Sequence, residues 1–192
     1  MTKRMLTPSQ TVGPYFSMQL KPVVVPAGPD VPGRRIRVEG RVLDGGGRPV
    51  EDALVEVWQA DAAGRYRHPA DARDEPPPDD GFSGYGRVHT DFETGTFRFT
   101  TVMPGRVPDP RGGLQAPHLN LIVTARGMLL HLHTRLYFGD EDEANAEDFV
   151  LAQVPAQRRP TLIARLTDEG ELPTYAFDIR LQGDGETVFF DL

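Results

Sequence analysis

A strand that carries one histidine and one asparagine on the same face is the first place where this sequence could hold a metal. Residues 116–123 read Ala-Pro-His-Leu-Asn-Leu-Ile-Val, a pattern typical of a buried strand. Successive side chains on a strand point to opposite faces, so His118 and Asn120 share a face. Two histidines at this spacing would form a metal-binding pair, but a neutral amide is a poor ligand for a ferric ion. The sequence therefore predicts the wall of an active site without its metal.

A second histidine pair, His131 and His133, has the same spacing of two residues. Together with His118 it could form a three-histidine site for iron, zinc or copper, and hence a self-sufficient metal-dependent oxygenase. However, an apolar run at 128–130 precedes the pair, and no acidic residue close in sequence offers a further ligand. The alternative is that one or both histidines are exposed or face another subunit.

Two further side chains could take part in chemistry. Tyr66 lies between Arg65 and Arg67, and two guanidinium groups would lower the pKa of its phenol and favour the phenolate that a ferric ion binds. Otherwise Tyr66 is a tyrosine at a strand end that covers the edge of the core. Arg135 is flanked by apolar strand residues, so its charge must reach the surface or pair with an anion. A substrate carboxylate and a structural salt bridge are both open alternatives.

Composition excludes several classes of protein. The formal net charge is −7 and there is no basic run, which argues against nucleic-acid binding. The absence of cysteine excludes disulfides, zinc ribbons and thiol catalysis. No window approaches 18 apolar residues, and the first eight residues lack the apolar region of a secretory signal. Hydrolase and nucleotide-binding motifs are also absent. We expect a component of a cytoplasmic enzyme.

The 20 glycines and 18 prolines favour many short strands joined by turns over a helical bundle. Residues 1–33 are rich in proline and predict an extended arm that needs another surface to order it. Residues 34–192 predict one domain, an all-β antiparallel β-sandwich with long loops. Within it, we expect segments 36–42 and 50–58 to pair like a hairpin. We also expect an exposed loop over 70–86 and one short helix over 143–153.

The order of these motifs resembles that of the intradiol ring-cleaving dioxygenases. The similar segments are the arm motif at 7–16, the core segment at 40–61, Gly64-Arg65-Tyr66-Arg67-His68, Pro104-Gly105 and the strand of His118. They cover nearly the whole chain in the order of that family. The resemblance implies a prealbumin-like sandwich whose N-terminal arm packs on a partner.

The resemblance also implies a set of metal ligands, which this sequence matches only in part. Catalytic members of that family hold ferric iron with two tyrosines and two histidines. Tyr66 and His118 match two of these positions, whereas Val107 and Asn120 stand at the other two. Gln115 replaces an arginine that usually stands three residues before the first histidine. The resemblance therefore implies that these positions are vestigial and that this chain binds no metal.

Two-chain members of the family place the iron in a homologous beta chain. The resemblance implies that a chain like this one lends its arm and an arginine to the beta chain's active site, where Fe(III) and O2 cleave the ring of 3,4-dihydroxybenzoate in aromatic catabolism. The matching positions here are Thr11, Gly13, Pro14, Tyr15 and Arg135. The implied role is a non-catalytic subunit of a heterodimer or a higher oligomer. A β-sandwich scaffold module that takes no part in turnover is the remaining alternative.

Overall fold

Strands dominate the computed structural model of this chain, which describes residues 10–13, 15–23, 30–77 and 79–191. Within these residues, no helix has the length and apolar character needed to cross a membrane. The helices are α1 (Phe16–Gln19), α2 (Asp142–Glu147) and α3 (Phe149–Gln153), with a 3-10 helix at Arg159–Leu162. The strands are β1 (Arg35–Leu43), β2 (Leu54–Trp58), β3 (Tyr85–His89), β4 (Thr96–Val102), β5 (His118–Thr124), β6 (Leu132–Phe138), β7 (Ile163–Asp168), β8 (Thr174–Ala176) and β9 (Ile179–Arg180).

The strands are hydrogen-bonded in the order β3-β2-β5-β6-β7-β8-β1-β4, and β9 pairs with β1. Among the described pairings, β6–β7, β1–β8 and β1–β9 are parallel, and the others are antiparallel. The prediction of a purely antiparallel arrangement was therefore wrong. The parallel pairing of β6 with β7 follows from the long connection between them through α2, α3 and the 3-10 helix, because a parallel pair needs a crossover of this kind.

The predicted hairpin between the first two strands does not form. β1 pairs with β4 along its length, and β2 pairs with β3 and β5. Only an isolated bridge joins Leu43 to Pro49 after the turn. Beyond it, the hydroxyl of Thr90 donates to the carbonyl of Val50 and accepts the N–H of Ala53, so these backbone groups do not continue a ladder with β1.

One hydrophobic core contains side chains from strands at both ends of the hydrogen-bonded order, β2 and β5 on one side and β1 and β4 on the other. One cluster of buried residues includes Val38 of β1, Phe97 of β4, Val57 of β2 and Leu121 of β5, all fully buried. Their alternation with more exposed neighbours follows the two-residue period of a strand. Burial of side chains from distant strands in one cluster positions the start of β5, where His118 lies.

A second, smaller cluster lies beneath the helices and contains Ala116, Tyr137, Leu151 and Leu162. The sequence predicts one helix here, but the backbone of Asp148 is extended and divides α2 from α3. The carboxylate of Asp148 caps α3 by accepting the N–H groups of Val150 and Leu151. The same carboxylate also accepts the N–H of Ala116, which ties α3 to the chain just before β5.

The described part of the arm lies against one end of the sheet. Val23 pairs with Arg87 at the edge of β3, and the His89 ring is hydrogen-bonded to the carbonyl of Leu20. At the start of the arm, the Thr11 hydroxyl donates to the carbonyl of Met128 at 3.0 Å. The described residues between 10 and 23 are therefore attached to the sheet near both ends of that segment.

The connection between β2 and β3 is fixed by Asp71. Its carboxylate accepts two hydrogen bonds from Arg73, at 2.7 and 2.6 Å, and one from the N–H of Tyr66 at 3.0 Å. The hydrogen bonds from Arg73 are the main reason that the pKa of Asp71 is lowered to about 2. The prediction of an exposed loop over 70–86 was wrong in part, because Phe82 is buried in the core and the strand β3 begins at Tyr85. Residue 78 of this loop lies outside the described part of the chain.

We expect Gly40→Ala to destabilise the fold by roughly 3 kcal/mol, within the range of severe core substitutions. A Cβ at Gly40 would lie 1.8 Å from the carbonyl oxygen of Phe177, so the backbone would have to move. Gly113→Ala is the matched control, because the nearest atom to its Cβ would be 3.8 Å away. Urea unfolding of both variants checks this prediction, and equal stabilities would contradict it.

We expect Asp71→Asn to lower stability at neutral pH by up to about 2 kcal/mol and to reduce the loss of stability in acid. The pKa of Asp71 is lower in the folded chain than in the unfolded chain, so its carboxylate stabilises the fold above about pH 4. That contribution disappears as the pH falls from about 4 towards 2. Urea unfolding at pH 7, 4 and 3 measures the difference.

The control for Asp71 is Asp74→Asn, because Asp74 is exposed to solvent in the same loop. We expect this variant to retain the wild-type dependence of stability on pH. If Asp71→Asn also retained it, the hydrogen bonds around Asp71 would not stabilise the loop.

Candidate functional site

His118 forms the floor of the candidate site at the start of β5. Its side chain is almost completely buried, and Nδ1 lies 2.8 Å from the carbonyl oxygen of Ala116. A carbonyl can only accept, so Nδ1 carries the proton and Nε2 presents its lone pair to the Tyr66 hydroxyl, which can donate to it. Burial, followed by the nearby charge of Arg135, lowers the pKa of His118 to about 4. The imidazole is therefore neutral at pH 7.

Tyr66 faces this lone pair from the β2–β3 connection. Its phenol oxygen lies 3.5 Å from Nε2 of His118 and accepts a hydrogen bond of 3.0 Å from the amide of Asn120. The Tyr66 ring stacks on Trp58 with 5.7 Å between the ring centroids. The same amide of Asn120 also donates to the carbonyl of Trp58 at 3.3 Å. Asn120 therefore presents N–H donors to the site, not a lone pair that could bind a cation.

The predicted low pKa of Tyr66 was wrong. Burial raises the pKa of this phenol, and the charge that opposes the increase is that of Arg135. The neighbouring arginines are engaged elsewhere, since Arg65 donates to the carbonyl of Asp71 and Arg67 pairs with Asp80. Adjacency in sequence did not place either guanidinium beside the phenol.

Val107 and Gln115 lie on the loop that borders the site. Val107 is buried, and its carbonyl accepts the N–H of Gln115 at 2.8 Å. The side-chain amide of Gln115 donates to the carbonyl of Pro108 and accepts a hydrogen bond of 2.8 Å from Arg135. The alkyl side chain of Val107 has no donor atom for a metal. Gln115, in turn, holds Arg135 in place.

Arg135 lies opposite Asn120 in the β5–β6 pairing. Its Nη1 donates to Gln115 and to the phenol oxygen of Tyr137, which is 3.3 Å away. Arg135 forms no salt bridge with any residue that the structure describes. The guanidinium is thus held inside this chain by neutral groups and keeps its positive charge uncompensated by a described carboxylate.

Sequence reasoning missed two residues of the site, Tyr137 and Asp148. The hydroxyl of Tyr137 donates to the carboxylate of Asp148 at 3.2 Å, and the ring centroid of Tyr137 lies 5.8 Å from that of His118. Burial raises the pKa of Tyr137, so its phenol is protonated at neutral pH. An aspartate immediately before an apolar helix start is an N-cap pattern, and that signal could have identified Asp148.

A cavity of about 670 Å³ opens next to these residues. Its volume falls within the range of small-molecule sites. Trp58 and Tyr66 line the cavity with aromatic rings. Val107 and Gln115, from the loop before β5, line it as well. The cavity could therefore accommodate a small aromatic molecule.

The hypothesis of a three-histidine site was wrong. The register places His118 opposite Tyr137 and His133 opposite Ile122, which is four residues or about 13 Å farther along β5. His131 and His133 do lie close together, with 4.7 Å between their ring centroids. His131 is exposed and His133 is half-buried. Over the described ranges, no three potential ligands among histidine, aspartate and glutamate come together.

The arm residues and Arg135 are not brought together in this chain. Thr11 is bound to Met128, beyond the end of β5, whereas His118 and the cavity lie at its beginning. Thr11, Gly13 and Tyr15 are exposed, and 68% of the surface of Tyr15 is accessible. Pro14 lies outside the described residues.

These side chains do not fit a ferric ion. Such an ion prefers anionic oxygen and neutral imidazole ligands, yet the phenol here has a raised pKa. Asn120 directs N–H groups into the site, and the cation of Arg135 lies next to it. The arrangement is suited to binding polar or anionic groups. It lacks the donors for redox chemistry at a metal.

Comparison with known proteins identifies the family. A family model described as dioxygenase matches residues 12–183. The chain is 44% identical to the protocatechuate 3,4-dioxygenase alpha chain of Pseudomonas putida over 198 residues, which covers 96% of each protein. It is 42% identical to the beta chain of the Burkholderia cepacia enzyme over 161 residues, 81% of this chain and 67% of that relative.

Solved structures support the same relationship. The crystal structure of 3-chlorocatechol 1,2-dioxygenase from Rhodococcus opacus matches with a TM-score of 0.63 and 26% identity. The match covers 82% of this chain and 64% of that one. With a family match over most of its length and an alpha-chain relative of 44% identity, this chain belongs to the intradiol dioxygenases.

Proposed function

We propose that this chain is the non-catalytic alpha subunit of a protocatechuate 3,4-dioxygenase. The complete enzyme would use Fe(III) and O2 to cleave 3,4-dihydroxybenzoate between its hydroxylated carbons, giving 3-carboxy-cis,cis-muconate. The observation that carries this proposal is the replacement of metal donors in the pocket by the N–H groups of Asn120 and the alkyl side chain of Val107. The iron, which would activate the catechol ring, is assigned to a beta chain.

The proposed partner is a homologous beta chain, in a heterodimer or a higher oligomer in the cytoplasm. The similarity of this chain to both an alpha and a beta chain supports a complex of related subunits. Residues 34–192 form one domain in this proposal, with the strands folded as a prealbumin-like sandwich around the shared core. Residues 1–33 form the arm that packs on the partner.

The arm is proposed to shape the beta chain's active site through Thr11, Gly13, Pro14 and Tyr15. Its anchoring supports this role, because contacts with Met128 and Arg87 hold the arm on the sheet while Thr11, Gly13 and Tyr15 stay exposed. Large apolar groups such as those of Tyr15 and Met18, which are 68% and 72% exposed, favour contact with another surface.

Arg135 is proposed to pair with the carboxylate of 3,4-dihydroxybenzoate in the assembled enzyme. The guanidinium makes two hydrogen bonds to neutral groups, Gln115 and Tyr137, and keeps its charge available. Guanidinium groups recognise carboxylates with well-aligned, charge-assisted hydrogen bonds. For this contact to form, the partner's active site must lie next to this chain's pocket across the interface.

We expect Tyr66→Phe and His118→Gln, each introduced into this chain of the assembled enzyme, to leave its iron content and turnover number within about twofold of wild type. Neither residue binds iron in this proposal, so a change in local packing is the expected effect. Metal analysis and steady-state kinetics measure the two quantities, with thermal unfolding as the check on folding. Loss of half of the iron in either folded variant would contradict the proposal.

We expect Arg135→Ala to raise the KM for 3,4-dihydroxybenzoate by about tenfold, since a charged hydrogen bond is worth roughly 1.5–3 kcal/mol. The turnover number should change far less, because this residue acts on binding. Arg98→Ala is the control, since Arg98 is largely exposed and pairs with Glu39 on a different strand pair. An unchanged KM would reject this role of Arg135, and it is also the result expected of a scaffold module.

A further inference from the structure

We infer that the guanidinium of Arg135 excludes metal cations from the pocket of this chain. It places a fixed positive charge beside Tyr66 and His118, the two donors that remain there. This inference concerns the isolated chain and does not depend on the proposed partner. It differs from the simpler account in which the pocket lacks metal only because donor atoms are missing.

The strand register brings the charge of Arg135 next to side chains that contact Tyr66 and His118. Arg135 lies directly opposite Asn120, and side chains at such positions have Cβ atoms about 4.5–5.5 Å apart. Asn120 in turn donates to the phenol oxygen of Tyr66 at 3.0 Å. On the other side, Nη1 of Arg135 lies 3.3 Å from the Tyr137 hydroxyl, and the Tyr137 ring packs against His118. One side chain, that of Asn120, therefore lies between the guanidinium and Tyr66. The side chain of Tyr137 lies in the same way between the guanidinium and His118.

The surrounding hydrogen bonds hold the guanidinium in this position without neutralising it. Gln115 accepts one of its N–H groups at 2.8 Å, and Gln115 is fixed in turn by its bond to the carbonyl of Pro108. The nearest acidic group in this network is Asp148. Its oxygens already accept the N–H groups of Ala116, Val150 and Leu151 and the hydroxyl of Tyr137.

Electrostatics makes this charge an obstacle to any multivalent cation. Repulsion between a bound metal and a guanidinium separated from its ligands by one side chain is weakly screened in a partly buried site. Restoring a donor atom alone should therefore not restore tight metal binding.

The test compares the full chain carrying Asn120→His with the double variant Asn120→His/Arg135→Gln. The substitution at position 120 adds an imidazole on the same face as His118, so both proteins contain Tyr66 and two histidines. Co²⁺ is the probe, because its visible absorbance reports coordination. We expect the double variant to bind Co²⁺ at least tenfold more tightly than the single variant. Equal affinities would overturn the inference.

Asn120→His/Arg135→Lys is the matched control, because it keeps the charge and changes the shape of the side chain. We expect it to bind Co²⁺ as weakly as the single variant, and binding as tight as that of the Gln variant would contradict an electrostatic cause. Asn120→His/Arg135→Leu provides a second route if the Gln variant does not fold, because Leu removes the charge and adds no donor atom for a metal. It should also bind at least tenfold more tightly. If it did not, the inference would fail.

Discussion

The pairing of β5 with β6 determines the chemistry available in this chain. Its register places His118, Asn120 and Arg135 on one face of the sheet, and Asn120 and Arg135 directly opposite each other. His118 is buried and Asn120 and Arg135 are half-buried on this face, so their polar groups need partners within the protein. Asn120 therefore bonds to Tyr66, and Arg135 bonds to Gln115 and Tyr137. The pocket is a complete hydrogen-bonded network, but one built around a guanidinium.

Under the proposed function, this network lets a dioxygenase fold persist without a metal site of its own. In a metal centre, the positive charge of the ion satisfies the lone pairs of its ligands. Here the lone pair of the Tyr66 phenol is satisfied by an amide N–H, and Asp148 stabilises the surrounding backbone and the Tyr137 hydroxyl. Loss of metal ligands thus leaves no buried polar group of Tyr66 or Asn120 unpaired. The wall and the cavity survive, while the anchored arm presents exposed residues.

Features that depend on the alternation of side chains along a single strand were predicted correctly from the sequence. Alternation along 118–124 placed His118 and Asn120 on one face, and the structure confirms that strand. Predictions that depended on distant contacts failed. The pKa of Tyr66 is raised because burial outweighs charge, and Arg65 and Arg67 are engaged by other groups. β1 pairs with β4, and the Thr90 hydroxyl bonds instead to the backbone of Val50 and Ala53 beyond the turn. The bond between Arg135 and Gln115 depends on how a loop packs over β6, which no local pattern encodes.

The central claim is that this chain supports catalysis without holding the iron. Iron content and visible absorbance of the chain purified alone, and then co-expressed with a protocatechuate 3,4-dioxygenase beta chain, test this claim most directly. The account predicts a colourless, iron-free chain that becomes part of a coloured, active complex with one iron per pair of subunits. A coloured chain that retains iron by itself would contradict it, because the described residues of this pocket would then have to supply a ligand set that their hydrogen bonds and charges oppose.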